Sequence, residues 1–175
     1  MANYAYIDIR ECLNRRVPKP ERIAAFMTIL SMGVHEVLGD RWRVDLAPFE
    51  DEGPTWLVTI PHTARKGVKA SKAGLAPGEN VGFAVALQRD SLAFRHGPNM
   101  FESWAQGCMQ EWLADHFKRG VYFDATDETE PPGTVEYRRG KTFREYLERN
   151  FEKPLSADDA AWIERFKDLA PEGFW

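Results

Sequence analysis

The strongest constraint in this chain lies between Asn99 and Lys118. Phe101, Trp104, Ala105, Cys108, Met109, Trp112, Leu113 and Phe117 recur at i, i+3, i+4 and i+7 spacing, so they share one face of an α-helix. A stripe this rich in aromatic side chains has to be buried, and the rest of the chain must supply a broad apolar surface to receive it. Asn99 followed by Glu102 has the form of a capping box at the helix start, and Gly120 closes the segment.

The flanking segments supply that surface. Tyr4 to Ile9 alternates and reads as a first strand. Pro18 and Pro20 lead into a helix whose apolar side is Ile23, Phe26, Met27, Leu30, Val34, Val37 and Leu38, with Gly39 as its C-terminal cap. Gly33 inside this helix either weakens it, by up to ~1 kcal/mol relative to Ala, or marks a close packing contact. Trp42, Val44 and Leu46 alternate with charged residues as a half-buried strand, and Thr55 to Ile60 forms a second. Residues 61–80 show no period and read as a long exposed loop, a kind of segment that is often functional. Val81 to Gln88, Leu92 to Arg95 and Val121 to Phe123 return to strand patterns. Asp124 to Gly133 reads as an acidic turn, with Thr134 to Tyr137 pairing back as a hairpin. Capping signals at Thr142 and Ser156 open two further helices.

This order implies an α+β fold: a mainly antiparallel sheet with helices packed on one face, a ferredoxin-like layout with an added hairpin being one arrangement. A single domain is expected over residues 1–175, with an α+β core over 1–137 and a C-terminal helical appendage over 138–175.

The net charge of -4 and pI near 5.6 argue against a dedicated nucleic-acid binder. The charge is uneven: residues 1–75 carry 11 Lys/Arg against 9 Asp/Glu, and residues 76–175 carry 12 against 18. No signal-peptide pattern and no apolar run of membrane-spanning length is visible, so a reducing cytoplasm is the expected compartment for Cys12 and Cys108, with no membrane partner.

Linear catalytic signatures are missing. The phosphate-binding and dinucleotide-binding glycine patterns, the nucleophile-elbow motif, His-x-x-x-His and paired cysteines do not occur, so no cofactor and no metal are expected. His35 and His116 border apolar helix stripes and read as structural. His62 and His96 follow strand ends, where sites tend to sit, and with Asp124 they make an alternative catalytic cluster. Arg65, Lys66, Lys69 and Lys72 lie in a loop stretch without an anion and suit anion binding. Asp124, Asp127, Glu128 and Glu130 lack the spacing of a calcium loop but suit a basic partner. Trp175, at the end of the chain, is a candidate interface anchor. Arg138, Arg139, Lys141 and Arg144 interleave with aromatic residues, as single-strand binders do.

The leading expectation is a protein-binding domain, in its most concrete form an acidic neutraliser or immunity-type inhibitor acting through Asp124, Asp127, Glu128, Glu130 and Trp175. The alternatives are a small enzyme using His62 or His96 on an anionic substrate, and a nucleic-acid-binding accessory protein.

Overall fold

Strand alternation and helical periodicity resolve into nine elements in a computed structural model that describes residues 4–12, 16–50, 53–61, 80–95 and 100–134, together with Glu145 and Ala157. They are β1 (Tyr4–Asp8), α1 (Lys19–Val37), β2 (Arg43–Leu46), β3 (Thr55–Pro61), β4 (Asn80–Leu87), β5 (Ser91–Arg95), α2 (Met100–Phe117), β6 (Val121–Phe123) and β7 (Glu128–Glu130). The strands form one seven-stranded sheet in the order β2-β3-β4-β5-β1-β6-β7. Every neighbouring pair is antiparallel. β1 therefore inserts between β5 and β6. That is the interleaving of a four-stranded ferredoxin-like layout, widened by three further strands rather than by one hairpin, and the expected α+β class holds. The appendage expected over 138–175 lies outside the described residues, apart from Glu145 and Ala157.

The register carries one apolar set across the whole sheet. Trp56 faces Val85, Val85 faces Phe94, Phe94 faces Ala5, and Ile7 faces Val121. All of these side chains are buried, on the face that receives both helices. α1 starts at Lys19 and carries Pro20 in its first turn, where a missing N–H costs nothing. It ends where the N–H groups of Leu38 and Gly39 both donate to the Val34 carbonyl, at 2.8 and 3.0 Å. Gly39 takes a left-handed φ of 89° there, as the cap expects.

α2 is the centre of the core. From Trp104 to Ala114 every residue is buried. Phe26 of α1 packs between Trp56 and Phe117, with ring centroids 6.1 and 6.0 Å away. Gly33 proves to be a contact point. A Cβ there would meet Trp112 Cε3 at 2.6 Å and Met109 Cε at 3.0 Å. The indole that fills this space donates from Trp112 Nε1 to Glu36 Oε2 at 2.8 Å, tying the two helices together.

One expectation needs correction. The returning strand of the last hairpin is β7, inside the acidic stretch, and starts six residues before Thr134. Asp127 takes a left-handed φ of 56° and closes a tight turn after β6, so pairing begins at once with Glu128 opposite Phe123. The capping box expected of Asn99 and Glu102 lies partly outside the described residues, since Asn99 is not among them; Glu102 is buried, and its Oε1 accepts the Gly82 N–H across the core at 3.2 Å.

The Gly33 contact sets a stability test. Ala has a helix advantage of ~1 kcal/mol over Gly, but overpacking against a tryptophan costs about 1–3 kcal/mol. Gly33→Ala is expected to lower the urea midpoint. A raised midpoint would mean the helices approach less closely than found.

Candidate functional site

The alternation that buries Ala5 and Ile7 turns Tyr4 and Tyr6 to the opposite face of the sheet, which neither described helix covers. Tyr6 pairs directly with Tyr122 on β6. The three rings form a rank: Tyr4 and Tyr6 stack with centroids 5.9 Å apart at 20°, and Tyr6 meets Tyr122 at 6.2 Å and 31°. On the other side of Tyr6 the row continues through Ala93 and Ala86. The tyrosines stand as a wall along that row, beside Ala93, which is buried, and Ala86, which is half-buried. Tyr4 and Tyr6 are half-buried, and Tyr122 is 36% exposed.

The acidic hairpin holds this wall. The Tyr4 N–H donates to Asp124 Oδ1 at 2.7 Å, and the Asp124 N–H donates back to the Tyr4 carbonyl at 3.1 Å. The Tyr122 hydroxyl donates to Asp127 Oδ1 at 3.1 Å. That hydrogen bond, with smaller effects of desolvation and of the nearby Asp127 and Asp124 charges, holds the Tyr122 phenol above the ordinary tyrosine value. Asp124, Asp127 and Glu128 are exposed and Glu130 is half-buried. The four acids are therefore adjacent but unequal. Two of them position tyrosines, and Glu128 and Glu130 line the outer strand of the sheet.

His62, His96, Arg65, Lys66, Lys69, Lys72, Trp175 and the Arg138 to Arg144 stretch lie outside the described residues. Of the alternative catalytic cluster only Asp124 is described, and it caps the start of β1. Among the described residues no group of three or more His, Cys, Asp or Glu is placed to hold a metal ion. His35 pairs with Asp40 at 2.5 Å, and His116 stacks on Trp112 at 5.1 Å and 12°, both at the surface. Burial, reinforced by the Glu111 charge, pushes the Cys108 thiol far above its ordinary range, which leaves it protonated and inert. No helix among the described residues is long and apolar enough to cross a membrane.

A buried polar set on α2 escaped the sequence reading: Glu102, Gln106, Gln110 and Glu111. β5 pairs with β4 only over Val85–Leu87, so backbone groups beyond that point need other partners. Glu102 takes the Gly82 N–H, and Gln106 Nε2 donates to the Arg95 carbonyl at 2.9 Å. Gln110 is 1% exposed, and neither end of its amide finds a partner among the described residues. The available signal was Gln106-Gly107 and Gln110-Glu111 set between two core tryptophans on a helix with little contrast between its faces.

The Tyr122–Asp127 bond gives a titration test. A raised folded value means the bond's contribution is present below the unfolded tyrosine value and is lost as pH rises through the folded one. Asp127→Ala is expected to move one tyrosinate absorbance transition to lower pH, and Tyr122→Phe to remove that same transition. An unchanged titration in Asp127→Ala would break the assignment. No protein family matches this chain, and neither curated proteins nor solved structures show significant similarity to it.

Proposed function

We propose that this chain is a cytoplasmic binding protein that covers a basic, arginine-bearing surface of another protein, in the manner of an immunity-type inhibitor. The observation that carries the reading is the tyrosine rank standing beside exposed carboxylates on a face without a described helix. A guanidinium stacks on aromatic rings and pairs with carboxylates in the same approach, which a lysine ammonium does less well. Tyrosine brings large contact area at low entropic cost and is enriched at the centre of interfaces. The excess of acids over residues 76–175 supports long-range attraction of a cationic partner. Trp175 is a further anchor in this reading. Free thiols at Cys12 and Cys108 suit a reducing compartment.

The test uses the amide isosteres Asp124→Asn, Asp127→Asn, Glu128→Gln and Glu130→Gln together. Each keeps an acceptor oxygen, so the Tyr4 and Tyr122 hydrogen bonds survive while the charge goes. Against a basic partner captured from host lysate at low salt, the association rate is expected to fall at least about tenfold and its salt dependence to flatten. Tyr122→Ala should instead speed dissociation. Unchanged kinetics in both variants would overturn the proposal.

A further inference from the structure

We infer that the outer edge of β2 pairs antiparallel with β2 of a second copy of this chain, about a two-fold axis at Val44. β2 stands at the end of the sheet opposite β7, and among the described residues its only strand partner is β3. The Ala47 N–H donates to the Thr55 carbonyl at 2.8 Å, and the β2–β3 register places Arg43 opposite Thr59 and Asp45 opposite Leu57. In an antiparallel ladder the residues that turn their N–H and C=O toward one neighbour alternate. Arg43, Asp45 and Ala47 therefore address β3, while Val44 and Leu46 present their backbone groups outward. Among the described residues nothing pairs with that edge. An open edge of this kind is a template for another strand.

Charge selects the occupant and the register. Val44 and Leu46 are the outward residues, and a two-fold antiparallel pairing of β2 with itself can centre on Arg43, Val44, Asp45 or Leu46; centring on Leu46 pairs no charges and sets Val44 opposite Pro48, which has no N–H to give the ladder. Centring on Arg43 sets two arginines face to face. Centring on Asp45 does the same with two aspartates. Centring on Val44 sets Arg43 opposite Asp45 of the second copy, and Asp45 opposite its Arg43. In that arrangement the two Val44 residues form the hydrogen-bonded pair. The charged residues fall at the non-hydrogen-bonded positions, where facing side chains lie closest. Both are exposed, and neither makes an ion pair with another described residue. The strand is self-complementary in one register and self-repelling in the adjacent two.

Apolar surface agrees with this choice. Leu46 is 47% exposed and Phe49, just past the strand, is 56% exposed. Val44-centred pairing places Leu46 opposite Trp42 of the second copy and continues the core face from one sheet into the next. The tyrosine rank and acidic hairpin stay at the far ends, so this inference stands or falls separately from the proposed partner.

Sedimentation equilibrium of the full chain at low salt tests it. The wild-type chain is expected to show a reversible monomer–dimer equilibrium. Arg43→Asp and Asp45→Arg should each weaken it at least about tenfold, since each makes both facing pairs repulsive. An equimolar mixture of these two variants, or the double variant Arg43→Asp/Asp45→Arg, should restore the dimer. Both side chains are exposed, so thermal melts should report intact folds. A wild-type chain monomeric at every concentration, or a dimer indifferent to both single substitutions, would overturn the inference.

Discussion

The described fold depends on the burial of α2. A helix hidden along its whole length from Trp104 to Ala114 has to satisfy apolar and polar demands together. Its apolar demand is met by the sheet and by α1, which Gly33 allows to approach the Trp112 ring. Its polar side chains solve a problem that the sheet creates. β5 separates from β4 beyond the Val85–Phe94 pair, and leaving a buried backbone group there without a partner costs about 1–3 kcal/mol. Glu102 and Gln106 reach back and fill those valences. Helix and sheet are thus keyed to each other by hydrogen bonds as well as by packing, which fixes the position of the helix along the strands. Packing alone would tolerate a slide.

The same keying shapes the face that neither described helix covers. Strand side chains alternate, so the register that buries Ala5 and Ile7 presents Tyr4 and Tyr6 on the other side. A slip of one residue would invert both sets, burying phenols and exposing the core. The hairpin reinforces the correct register from outside: Asp124 binds the backbone of Tyr4 and Asp127 binds the hydroxyl of Tyr122. Two carboxylates of the acidic cluster therefore act on β1 and β6 while their remaining lone pairs face solvent. Local order and surface charge come from the same residues.

Periodicity made most of the fold legible. Both helices and the strands up to β6 carry apolar repeats at the right spacing, and Gly33 was recognisable as a candidate close contact. β7 was not legible because Glu128-Thr129-Glu130 has no apolar alternation; the turn at Asp127 recruits it into the sheet. The tyrosine rank was hidden for a different reason. It needs β1 and β6 side by side, and the bond between Tyr4 and Asp124 spans 120 residues of sequence. The buried polar residues of α2 were hidden because a stripe analysis assigns polar positions to solvent, and this helix has no solvent side over its central turns. The acidic cluster was visible as composition, but its division into residues that position tyrosines and residues that line an edge follows only from the fold.

The two edges of the sheet obey opposite rules. On β7, Glu128 and Glu130 flank Thr129, so antiparallel self-pairing about any of the three sets acid against acid, and the edge repels a second copy. On β2 the signs alternate, and one register turns repulsion into two attractive pairs. Among the described residues the sheet has two unpaired edges, and a single device, charge on the strand, gives them different outcomes through its pattern. The all-acidic edge stays open to cations next to the tyrosine wall and closed to its own kind. Against a strand of uniform charge the alternating edge gains one attractive pair and one repulsive pair, and only its own kind makes both pairs attractive. If both edges are used, each copy in a pair presents its acidic hairpin outward, at the end farthest from the shared strand, and a partner with two basic patches gains from engaging both.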